Sequence, residues 1–74
     1  MRTFTVRGFI TNSVTDKPKF IDHLKVQLAI NLQHLVSRKG LSIASDITFT
    51  QADVETGVEV TASVRATKYQ MVMN

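Results

Sequence analysis

The chain contains no cysteine. Disulfide staples and thiolate metal sites are therefore excluded, and with them two common supports of small domains. Glycine occurs three times and proline once, while 43% of the residues are apolar, so the composition is globular rather than disordered. No apolar run approaches the roughly 18–20 residues of a membrane-spanning helix. The opening MRTFTVRGFITNSV also lacks the unbroken apolar core of a secretory signal. The expectation is a cytoplasmic protein with no membrane partner. Charge of one sign is scarce too: nine Lys/Arg against six Asp/Glu leave +3. That bias permits a polyanionic partner without requiring one.

The chemistry-bearing motifs are missing as well. There is no Cys nucleophile, no Gly-rich phosphate loop, and no Ser or Asp at motif spacing from His23 or His34. Asp53, Glu55 and Glu59 cluster in the sequence but lack the spacing of a calcium loop. The chain is read as a non-enzyme with no cofactor and no metal site.

What is present specifies an architecture. The 74 residues form one small domain, 1–74, and a chain of this length buries only about 60–65% of the surface its unfolded form exposes. With disulfides and thiolate sites excluded, self-association is the support left open. Thr3 to Thr11 alternates as a strand, with Phe4, Val6 and Ile10 in one phase against Thr3, Thr5 and Arg7. Phe9 breaks the alternation, and either a bulge at Gly8 or a frayed strand end with one partly exposed Phe would account for it. From Pro18 to Lys39, Ile21, Leu24, Leu28, Leu32 and Leu35 make one helical stripe flanked by Phe20 and Val36. Thr15 or Asp16 caps its start, and Gly40 closes its end.

Leu41 to Gln51 alternates as a second strand, DVETG at 53–57 supplies a turn, and Val58 to Ala66 alternates as a third. The fold class expected is α+β, in the order β-α-β-β. Its sheet is three-stranded and mainly antiparallel, with the third strand central and one long helix covering one face. This order resembles that of dodecin-like flavin-binding assemblies and of several small phage accessory proteins, in element order and size with no shared motif. Residues 68–74 change phase and place Tyr69, Met71 and Met73 together, which reads as an extended tail against a partner subunit.

The helix carries more apolar surface than one buried face needs. Val26 and Ile30 fall about 140° and 180° from Ile21, among His23, Gln27, Gln33 and His34. Lys19, His23, Val26, Ile30, Gln33 and Ser37 follow the 4-3-4-3-4 spacing of a seam between helices. An antiparallel crossing of two copies near Leu28 would set Val26 against Ile30 and His23 against His34. The two histidines lie about 16 Å apart along one helix, so they cannot share a metal within a subunit. Even across a dimer, two histidines lack the remaining ligands.

The sequence thus reads as a homo-oligomer that binds a protein partner, as an inhibitor or adaptor of the phage accessory or regulatory kind. Its interface residues are His23, Val26, Gln27, Ile30, Gln33, His34, Tyr69 and Met71. The alternative is nucleic-acid binding through a Thr-rich sheet face with Arg7 and Arg65, helped by Lys68, Arg38 and Lys39. A small-molecule pocket between subunits is the third reading.

Overall fold

The computed structural model describes residues 1–68, so the expectations for Tyr69, Met71 and the rest of the tail lie outside the described residues. The elements are β1 (Arg2–Thr11), α1 (Lys17–Arg38), β2 (Leu41–Ile43), β3 (Thr48–Val54) and β4 (Gly57–Lys68). They form an α+β unit in which one helix packs on an antiparallel sheet of four strands. β4 lies between β1 on one side and both β2 and β3 on the other.

The helix begins and ends for local reasons. The Asp16 carboxylate accepts from the Lys19 N–H at 3.5 Å, and Pro18 occupies the first turn, where no amide partner is lost. At the other end Gly40 adopts φ 71°, a left-handed conformation, and its N–H donates to the Ser37 carbonyl at 3.0 Å. Leu28, Leu32 and Val36 are buried, while Ile21, Leu24 and Leu35 pack at the margin. They meet Val58, Val60, Ala62, Val64 and Ala66 of β4, together with Phe4 of β1. Ala62 and Ala66 are fully covered, since small side chains let the helix settle onto the middle of the sheet. Phe20, expected beside the stripe, is instead 51% exposed.

Two sequence expectations are corrected. The first is the strand count. Leu41 to Gln51 is not one strand but two, broken between Ile43 and Thr48. Ile43 pairs with Ala66 and Thr48 with Ser63, so residues 44–47 span a stretch that β4 covers with only 64 and 65. At the break the Ser45 side chain takes the place of a strand carbonyl. Its Oγ accepts from the Arg65 N–H at 2.9 Å, and the Ala44 N–H donates to the Arg65 carbonyl at 2.8 Å. The surplus of two residues preserves the alternation, so Ile43 and Phe49 still share a face.

The second is the bulge at Gly8, one of the two readings of Phe9; the other, a partly exposed Phe, agrees with its 46% exposure. β1 pairs with β4 without interruption from Arg2↔Ala66 to Thr11↔Gly57, and Phe9 faces outward by plain alternation. Gly8 has a different role: a Cβ there would lie 2.5 Å from Leu24 Cδ1, so its absence seats the helix on β1.

The hairpin joining β3 to β4 turns on Glu55 and Thr56, with Val54 opposite Gly57. Asn12 secures it from β1: its N–H donates to the Thr56 carbonyl at 3.0 Å, and its side-chain amide to the Glu55 carbonyl at 2.9 Å. No described helix is long and apolar enough to cross a membrane.

Candidate interaction surface

Among the described residues this packing leaves three surfaces: the outer side of α1, the free edge of β1, and the sheet face that the helix does not cover. On α1, with Leu32 marking the core direction, Ile30 and His23 point away from the sheet. Gln27 and His34 lean toward β1, and Val26 and Gln33 lean the other way, so the six span about 120° of the helix circumference. All six are exposed. Val26 (58%) and Ile30 (41%) are i, i+4 neighbours and form one apolar spot. Among Lys19, His23, Val26, Ile30, Gln33 and Ser37, Lys19 is the one Lys, Arg, Asp or Glu residue.

Beneath His34 the helix and β1 enclose a shallow groove of about 380 Å³ lined by Val6, Ile30, Asn31, His34, Leu35 and Arg38. Along its floor runs β1, whose ten residues pair on one side only among the described residues. Because the Asn12 N–H reaches the Thr56 carbonyl in the same register, even-numbered residues of β1 spend their backbone groups on β4. Thr3, Thr5, Arg7 and Phe9 therefore turn theirs to the open edge. The opposite edge is interrupted at 44–47, a form of protection that β1 lacks.

The uncovered sheet face holds the hydroxyl-rich set expected from the sequence. Thr3, Thr5 and Arg7 lie on it beside Thr61, Ser63 and Arg65, and the Thr5 and Ser63 hydroxyls are hydrogen-bonded at 3.0 Å. The five cations of the nucleic-acid reading are not brought together. Arg7 lies opposite Thr61, four positions along β4 from Arg65, a separation of about 13 Å. Lys68 falls in the helix-facing phase opposite Leu41, and Arg38 lines the groove on the helix side. Arg65 shares its depression, of about 430 Å³, with Asp46, whose carboxylate opposes an anion. The acidic trio also separates: Asp53 pairs with Val58 on the helix-facing side, whereas Glu59 is on the other face. Among the described residues no group of three or more potential metal ligands forms.

Two apolar features lie outside the interface residues read from the sequence. Phe9 and Val54, each 46% exposed, flank Gly57 on the uncovered face, where a Cβ on Gly57 would come 2.8 Å from Phe9 Cζ. Phe20 is the other, near Lys19 and His23. The available signal was phase: Phe9 and Val54 both stand where the strands otherwise carry polar residues. Phe49, by contrast, lies under the Lys25 ammonium, which sits 5.8 Å from its ring centroid. Compared with known proteins, the chain matches no family model, no curated protein and no solved structure.

Proposed function

We propose that the chain is a small non-enzymatic interaction protein that self-associates and presents α1 to a protein partner, as a cytoplasmic inhibitor or adaptor of the accessory kind. The observation that carries this reading is the outer side of α1, where Val26 and Ile30 stay 58% and 41% exposed on a surface poor in charge. A helix face that meets only water is normally populated by Lys and Glu. The small core supports the same reading, because a domain of this size gains stability by burying surface against a second molecule.

Sedimentation at micromolar concentration is the test. Association of the wild type is expected, and a monomer removes the basis of the reading. Ile30→Asp then separates two locations for the self-contact: loss of the oligomer places it on the outer helix side, and persistence places it at the sheet edge. The nucleic-acid reading is weaker, because its cations divide between two faces and Asp46 stands beside Arg65.

A further inference from the structure

The free edge of β1 and the flank of α1 above it have matching symmetry. The helix lies chiefly over β1 and β4. If a second β1 paired antiparallel along the free edge, the two-fold axis would pass about 2.4 Å beyond β1. An axis midway over β1 and β4 is then about 4.8 Å from the two-fold, and the two helices stand about 10 Å apart, the usual distance for packed helices.

Register narrows the pairing. Side chains on the helix-facing phase must meet their own kind, so the two-fold must coincide with a residue rather than fall between two. Centred on Arg7, the pairing would set guanidinium against guanidinium, and centred on Thr5 it would be shorter. Centred on Val6, it sets Thr5 opposite the partner's Arg7, Phe4 opposite the partner's Gly8, and Thr3 opposite the partner's Phe9. No like charges face each other.

The helix gives the same centre independently. Leu24 is seated on Gly8. Two strand residues back, at Val6, the level has moved by about 6.6 Å, or about four helix residues, which brings Leu28 or Ala29 onto the axis. On the flank toward β1, an antiparallel match about residue 29 sets Gln27 against the partner's Asn31 and Phe20 against the partner's Arg38. The first is an amide pair and the second a cation over an aromatic ring.

We propose that β1 is the self-association site, pairing antiparallel with β1 of a second copy about Val6 so that the sheet is continuous and two helices lie side by side. This rests on the reading that the chain self-associates, and it leaves Val26 and Ile30 free for a different partner.

Cysteine pairing reads the register directly, since the chain has no cysteine of its own. Thr3→Cys mixed with Phe9→Cys should form a disulfide-linked dimer of the two variants, because directly opposed residues lie within disulfide reach. Thr3→Cys with Thr11→Cys reports the Arg7-centred register, and preferential linkage there overturns the proposal. Thr5→Pro deletes an edge-facing N–H together with the Thr5–Ser63 hydroxyl hydrogen bond, which Thr5→Ala removes alone; relative to Thr5→Ala it should weaken association about tenfold or more, with the monomer still folded by circular dichroism. Ile30→Asp should leave association unchanged. A wild type that sediments as a monomer defeats both this proposal and the reading beneath it. An oligomer that withstands Thr5→Pro and gives no Thr3–Phe9 linkage overturns the β1 site alone.

Discussion

Substitution of Gly8 tests how the helix is seated, and the structure gives the size of the effect. A Cβ on residue 8 would lie 2.5, 2.8 and 3.0 Å from three carbons of the Leu24 side chain. Those carbons are the far end of a partly buried side chain, so Leu24 can swing aside while the backbone holds. Overpacking of this kind costs about 1–3 kcal/mol, and alanine belongs at the lower end. Replacing a glycine returns about 0.4–1 kcal/mol through the unfolded chain. Gly8→Ala should therefore destabilise by about 0.5 kcal/mol, and Gly8→Val, with two further carbons to place, by about 2 kcal/mol.

In a domain of this size, 1 kcal/mol lowers Tm by about 4–8 °C. Thermal melts followed by circular dichroism would show it, compared at one protein concentration because association raises apparent stability. Combining Gly8→Ala with Leu24→Ala makes room for the new methyl, so the double variant should be at least about 0.5 kcal/mol more stable than the sum of the singles. Additive losses, or a Gly8→Ala protein that melts higher than wild type, would refute the seating of Leu24 on Gly8. The alignment of Leu28 or Ala29 with Val6 would fall with it.

Other substitutions probe separate parts of the structure. Gly57→Ala should cost more than Gly8→Ala, at least about 3 kcal/mol by denaturant titration, because its Cβ would meet the Ile10 carbonyl oxygen and backbone cannot swing aside. Ser45→Ala removes the acceptor of the Arg65 N–H and should cost about 1 kcal/mol, with faster hydrogen exchange at the Arg65 amide. Ile30→Asp, at an exposed position, should change the stability of the fold by less than about 0.5 kcal/mol in melts. Arg7→Ala with Arg65→Ala should leave association intact, whereas steeply salt-dependent binding to single-stranded or duplex DNA, lost in that variant, would revive the nucleic-acid reading.

The helix was legible in the sequence because each of its signals agreed: Asp16 and Pro18 at the start, the leucine spacing along it, and Gly40 at the end. The long apolar alternation of Val58 to Ala66 was equally plain, and it runs through the core of the structure. The split of the second strand was harder to see. Leu41, Ile43, Ile47 and Phe49 keep one phase across the break because the extra residues number two, so alternation continues where pairing does not. Ser45 in an inward position was the one local sign. Gly8 misled for a related reason: a glycine before an off-phase Phe9 suggests a bulge, but contact with Leu24 is a tertiary fact that strand periodicity cannot show. On the candidate surface, the exposure of Val26 and Ile30 follows from the helical wheel. Which flank overlies the free strand edge depends on sheet order, and so do the roles of Asn31, Arg38 and Phe20.

Whether two copies associate is read by sedimentation equilibrium of the wild type at micromolar concentration. A dimer is expected, with a mass of two chains that falls toward one chain in Thr5→Pro and is unchanged in Ile30→Asp. A wild type with the mass of a single chain across that range would contradict it.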